Sequence, residues 1–229
     1  MPDGPVPERF DAAYYREFYG RSPVQTAARI GSLAQGVLGL AAWWGIPVRS
    51  VLDVGAGPGY WGRWLRTNRP AIRYRSVDVS AEACRRYGHE QRDIVRWHSP
   101  RPVDLVVCQG VLHYLDDEDF EEALANLVTS ARGLLFLEIP TSDDLRNVLD
   151  LDRTDMVANW RPAEWYRDRL HIALRELGAG VFYRRSGTAP FFAMEEASES
   201  RRTVRRQRHE RAGMVRGPAV VPLSCSDSD

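Results

Sequence analysis

In the run Val51-Leu52-Asp53-Val54-Gly55-Ala56-Gly57-Pro58-Gly59 an apolar segment ends near a carboxylate and passes into three alternating glycines. Glycines at this spacing allow a tight turn and let a ligand approach the backbone where a Cβ would clash. Two ligand chemistries compete for such a turn. Gly57-Pro58-Gly59-Tyr60-Trp61-Gly62 satisfies G-x-G-x-x-G, and Asp78 lies about twenty residues further on, a pattern that suits a dinucleotide. Against it stand Asp53, whose carboxylate sits near the path of a pyrophosphate, and the long helical segment ahead of the first strand. A cationic group, such as a sulfonium carried together with an ammonium, is stabilised by the same carboxylate.

Other residues offer further chemistry. Asp78, closing the run Tyr74-Arg75-Ser76-Val77-Asp78, can accept from both hydroxyls of a ribose. Asp93 can accept from an adenine amino group while Ile94 packs on the ring. Both carboxylates also read as ordinary solvated strand ends. His113, in Val111-Leu112-His113-Tyr114-Leu115, is the best-placed general base for a hydroxyl nucleophile, with His171 a weaker one, although a histidine in such a run also reads as packing. Asp116, Asp117 and Asp119 read as the acidic start of a helix rather than a metal cluster, and no metal is expected.

These residues need a scaffold that brings them to one edge. Ser22-Pro23-Val24-Gln25 has the makings of a helix start, and Ile30, Leu33, Ala34, Val37, Leu38 and Ala41 give that helix one apolar face until Gly45 and Pro47. Strands and helices then alternate, as a parallel sheet with crossover helices requires: strands over 48–54, 73–79, around Ile94, over 103–108 and 133–139, with helices from Tyr60, over 81–87 and after Asp116. A looser charged stretch, 142–160, is a candidate substrate cap. Tyr166, Leu170, Leu174 and Leu177 form a helical stripe ending at Gly178. Segments 179–185 and 191–195, flanking Ser-Gly-Thr-Ala-Pro, read as a closing antiparallel hairpin.

Taken together, Val51 to Gly59, Asp78, Asp93 and the run Asp104 to Leu115 resemble the successive motifs of class I S-adenosylmethionine-dependent methyltransferases of the small-molecule type. The resemblance implies a Rossmann-like, mostly parallel seven-stranded sheet with an antiparallel C-terminal hairpin, in a three-layer α/β/α arrangement. It implies S-adenosylmethionine as cofactor: Asp53, Gly55, Gly57 and Gly59 face its methionine part, Asp78 with Val79 takes the ribose, Asp93 with Ile94 takes the adenine, and the Gln109 backbone carbonyl faces the amino group. An aromatic N-terminal helix often forms a lid in such enzymes; Tyr14, Tyr15, Tyr19 and Arg29 are similar in placement, and Arg29 can pair with the methionine carboxylate. These four also read as half-buried packing and a surface charge. Cys108-Gln109-Gly110-Val111 departs from the Asn/Asp-Pro-Pro-aromatic pattern of amino-methylating nucleic-acid enzymes.

The expected organisation is a helical lid over 1–47, an S-adenosylmethionine-binding methyltransferase domain over 48–197 and a disordered arginine-rich tail over 198–229. The 229 residues carry 31 basic and 31 acidic side chains, so no global field recruits nucleic acid or a membrane; every basic one is arginine. Cys84, Cys108 and Cys225 share no short metal-ligand spacing and, being three, do not suggest a disulfide framework, which fits a cytoplasmic protein. The longest apolar stretch, 37–48, is too short to span a bilayer. The expected partner is a small-molecule methyl acceptor, apolar or aromatic given Trp160, Trp165 and Tyr166, its nucleophile an oxygen or nitrogen. RNA or protein methylation using the basic tail, and an NAD-binding oxidoreductase, remain as alternatives, and the oligomeric state stays open.

Overall fold

Short apolar runs with buried side chains on both faces form the centre of this protein. In a computed structural model that describes residues 9–20, 23, 25–146, 148–188 and 191–196, all five residues of strand β1 (Ser50–Val54) are buried. Successive side chains point to opposite faces. Leu52 and Val54 join one apolar cluster, and Val51 joins the other.

The remaining strands are β2 (Arg73–Asp78), β3 (Glu90–Gln91), β4 (Val103–Gln109), β5 (Ala131–Glu138), β6 (Leu174–Gly178) and β7 (Val181–Arg184). They form one seven-stranded sheet in the order β3-β2-β1-β4-β5-β7-β6. The pairs from β3 through β5 are parallel, and β7 runs antiparallel to both β5 and β6. Helices α2 (Ala27–Trp43) and α3 (Tyr60–Asn68) cover one face through Ile30, Ala34, Val37, Trp61 and Leu65. Helices α5 (Asp117–Ser130) and α6 (Ala163–Ala173) cover the other through Phe120, Leu124, Leu127, Tyr166 and Leu170. This is the expected three-layer arrangement. Helices α1 (Ala12–Tyr19) and α4 (Ala81–Tyr87) lie near the carboxyl ends of the first two strands, where α1 supplies wall residues to the cavity described below.

Four local expectations are corrected. Helix α2 starts at Ala27 with Thr26 as N-cap, its hydroxyl accepting from Arg29 N; Ser22 and Val24 lie outside the described residues, and Gln25 bonds elsewhere. No strand forms at Ile94: β3 is shorter and earlier, and Asp93 Oδ1 accepts from Val95 N to hold a turn over 94–96. Helix α6 stops at Ala173, and Leu174 begins strand β6, fully buried. The hairpin is therefore β6–β7, turning through Gly178, Ala179 and Gly180, all at positive φ. Residues 191–196 form no strand. Phe191 instead packs edge-on against Trp44 and Tyr183, and Glu195 accepts from Trp43 Nε1.

The described residues belong to one compact unit, and the expected tail, 198–229, lies outside them. Among the described residues no helix is long and apolar enough to cross a membrane.

Candidate active site

Parallel strands β1, β2 and β4 end side by side, and a cavity of about 350 Å³ opens beyond them, the place where open α/β sheets take ligands. The turn after β1 is its floor. Gly55, Gly57 and Gly59 have φ of 66°, 50° and 71°, left-handed values that glycine adopts without strain. A Cβ on Gly55 would lie 2.2 Å from Val111 Cγ2, so this position also requires glycine for space.

Each peptide N–H of the turn, from Gly55 to Gly59, has an acceptor. Val77 O accepts from Gly55 N at 2.9 Å and Ala56 N at 3.2 Å, and Ala56 O accepts from Gly59 N at 2.8 Å. Asp78 Oδ2 accepts from Gly57 N at 2.9 Å, while Asp78 Oδ1 accepts from Ser80 N at 2.9 Å. Proline at 58 has no N–H to offer. Burial raises the Asp78 carboxyl above its ordinary range, and the Ser80 and Gly57 amides oppose that rise.

Gly55, Gly57, Asp78, Val79, Asp93, Ile94, Gln109 and Tyr19 all lie on the cavity wall, eight of the residues expected from the sequence. Four others do not. Gly59 caps α3 and lines a separate groove; Arg29 is exposed on α2. Asp53 is buried beneath the turn at 2% exposure, and its Oδ2 accepts from Tyr74 OH at 2.6 Å. His113 sits in a 3-10 turn, 5% exposed, with its ring beside those of Tyr114 and Trp160. Burial lowers its pKa to about 4, so the ring is neutral, and its Nδ1 lacks a hydrogen-bond partner. The expected base is thus packed behind the wall rather than on it.

The aromatic wall also differs from expectation. Trp165 and Tyr166 pack against Phe120 in the core, and neither they nor Trp160 line the cavity. Phe10, Tyr14, Tyr15 and Tyr19, in and just before α1, form this wall together with Tyr114. Asp11 caps α1 by accepting from Ala13 N and Tyr14 N. Tyr14 OH and Tyr114 OH are 3.1 Å apart, Ser80 Oγ donates to Phe10 O, and Arg9 Nη2 pairs with Asp155 Oδ2 at 2.5 Å. Lid, sheet edge and the 142–160 segment are joined by these bonds. Burial raises the pKa of all four tyrosines, which keeps them as neutral phenol donors. A wider groove of about 610 Å³ runs past Arg16, Phe18, Arg86 and Arg153, but it includes neither the glycine turn nor Asp78.

Several contacts that hold the site from behind have no counterpart in the sequence reading. Gln109 Oε1 accepts from Trp61 Nε1, and Gln109 Nε2 donates to Gln25 Oε1 at 2.7 Å; Gln25 in turn donates to both carboxylate oxygens of Glu138. These contacts link residues far apart in sequence and leave no local signal. Tyr74 did leave one, since it shares a strand face with Ser76 and Asp78. Gly62 makes room for it, because a Cβ there would lie 2.5 Å from the Tyr74 ring. Tyr74→Phe removes the phenol donor from a buried carboxylate and is expected to lower stability by about 1–3 kcal/mol in urea unfolding; an unchanged midpoint would mean that Asp53 does not depend on it.

Known proteins place this architecture. Residues 25–178 match the family model of the methyltransferase domain. No curated protein matches the sequence. Among solved structures, the N-methyltransferase NodS from Bradyrhizobium japonicum WM9, in complex with S-adenosyl-L-homocysteine, is 20% identical, with 76% of this chain and 97% of that one covered and a TM-score of 0.54. Magnesium protoporphyrin IX methyltransferase (ChlM) from Synechocystis PCC 6803, with bound SAH, is 15% identical, with coverages of 77% and 97% and a TM-score of 0.52. An O-methyltransferase family protein from Burkholderia thailandensis is 16% identical over 70% of this chain, which spans 58% of its length, with a TM-score of 0.49. The two likenesses above one half are likenesses of fold, and the family match, which takes in the sheet from β1 to β6 and the glycine turn, assigns the rest: the chain belongs to the methyltransferase domain family.

Proposed function

We propose that this protein binds S-adenosylmethionine in the cavity above the glycine turn and transfers its methyl group to an oxygen or nitrogen of a small molecule. The hydrogen-bond accounting of the turn carries the choice of cofactor. A dinucleotide pyrophosphate needs free backbone amides to receive it. Every N–H from Gly55 to Gly57, and that of Gly59, already has an acceptor, and Pro58 has none. The amides that α3 leaves without a side-chain cap lie beyond Gly59, and Pro58, Gly59, Tyr60 and Trp61 are all off the cavity wall. Such a turn has shape but no anion cradle, and it suits a nucleoside without phosphates. The SAH held by NodS and ChlM supports the same choice.

In this reading Asp78 takes the ribose, Asp93 and Ile94 take the adenine, and the glycines with Gln109 receive the methionine part. The bound cofactor supplies an electrophilic methyl on a sulfonium, a leaving group good enough that a general base is optional. The protein's task is alignment in a site closed to water. Phe10 and the phenol-tipped Tyr14, Tyr19 and Tyr114 form the aromatic wall against which a small acceptor would be held in line. No role is given to a metal; among the described residues no three His, Cys, Asp or Glu side chains are grouped to hold one.

Calorimetric titration with S-adenosylmethionine, S-adenosylhomocysteine and NAD tests the cofactor. Micromolar binding of the first two with none of NAD is expected; binding of NAD alone would replace this reading with an oxidoreductase. Truncation after Ala197, which removes Arg201 to Arg211, is expected to leave cofactor affinity and its weak salt dependence unchanged. A steep salt dependence that vanishes on truncation would instead assign the tail to a polyanionic substrate.

A further inference from the structure

Helix α4 ends on Gly88, whose left-handed backbone (φ 79°) folds the chain back so that His89 reaches beneath the glycine turn. There the imidazole bridges two elements: Nδ1 lies 2.8 Å from Ser76 Oγ on β2, and Nε2 lies 2.9 Å from Gly57 O. A carbonyl can only accept, so Nε2 carries a proton and donates to Gly57 O, while Nδ1 and the Ser76 hydroxyl share the second hydrogen bond. The ring packs close, since a Cβ on Gly59 would come within 3.4 Å of its Cε1.

The residue at the centre of the turn is thereby held on both sides, Gly57 N–H by Asp78 and Gly57 C=O by His89. Gly57 has a positive φ and faces the cavity, and among the described residues only Gly55 O lies within 4 Å of where its Cβ would be. We propose that His89 is a positioning residue for cofactor binding, which fixes the backbone at Gly57 and, through it, the direction of the Asp78 carboxylate. The inference rests on the cofactor reading above. It acts before chemistry, so its signature is in affinity and not in the rate at saturation.

The test is calorimetric titration of S-adenosylhomocysteine into the native chain, His89→Leu and His89→Gln, with melting temperature measured alongside. His89→Leu loses the donor to Gly57 and is expected to weaken binding about tenfold, the effect of one hydrogen bond. His89→Gln can place an amide N–H near the Nε2 position and is expected to recover most of that loss. If an acceptor is in hand, turnover at saturating cofactor should be the same in all three. No binding by the native chain would overturn the cofactor reading itself. Equal affinity in all three, or equal loss in both variants tracking the melting temperature, would overturn the positioning role.

Discussion

Replacing Asp78 with alanine is expected to weaken S-adenosylmethionine binding by at least about 100-fold, the largest single-residue effect on the proposed function. The carboxylate has two duties. Its two oxygens accept from Gly57 N and Ser80 N, which ties the floor of the cavity to the start of α4. Its remaining lone pairs are the ones available to a ribose on the wall that it lines. Hydrogen bonds to a charged group contribute about 1.5–3 kcal/mol each, so losing two toward the ligand reaches the 100-fold range before the loosened turn is counted. Asp78→Asn separates the duties. An amide has one oxygen where the carboxylate has two, so one backbone donor then faces an NH2 group, and binding should fall between the native chain and the alanine variant. Titration calorimetry on variants shown folded by circular dichroism decides it. Retention of native affinity in Asp78→Ala would remove the ribose from this residue and with it the proposed orientation of the cofactor.

How much of this was legible in the sequence depends on how local its cause was. The glycine turn and α4 are written in adjacent residues: Asp53 to Gly59 for the first, and Ser80 with Gly88 at the two ends of the second. Alternation of strand and helix carried the sheet because each β-α unit repeats the same short-range pattern. Leu174 shows where locality fails. It lies four residues after Leu170, a helical interval, yet Gly178-Ala179-Gly180 makes a tight hairpin that draws it into the sheet, where a pairing with Arg184 that no window of sequence reports holds it. The lid shows the same limit on a smaller scale. Nothing local separates Tyr19 from Arg29, and tertiary packing turns the first onto the cavity wall and leaves the second exposed. Trp160, Trp165 and Tyr166 have the composition of an acceptor wall, but α6 packs on α5, so the latter two went to Phe120 and the wall came from α1 instead. Distance in sequence also hid His89, whose partners Ser76 and Gly57 lie on two other elements.

Relative to the native chain, stability between pH 4 and 7 is expected to change steeply, and in opposite directions, in two variants, because two buried groups act with opposite sign. Asp53 is buried in the sheet with a phenol as its hydrogen-bond partner; burial raises its pKa from 3.8 to about 7, against the opposing Tyr74 hydrogen bond. Between those values the native state holds a proton that the unfolded chain has released. This contribution is therefore fully present below about pH 4 and is lost as the pH rises to about 7, an effect of at most about 4 kcal/mol. His113 runs the other way: burial lowers its pKa from 6.5 to about 4, so the unfolded chain binds the proton first. Its contribution is present above about pH 6.5 and is lost as the pH falls toward 4, by about 3 kcal/mol at most. Asp53→Asn keeps an acceptor for Tyr74 but cannot titrate, so its stability relative to the native chain should improve by a few kcal/mol between pH 4.5 and 7.5. His113→Phe, removing the other group, should show relative stability that worsens over the same range. Urea unfolding at several pH values reads both slopes. A relative stability of Asp53→Asn that does not change with pH would mean that Asp53 is ionised throughout, and that a donor besides Tyr74 compensates its charge.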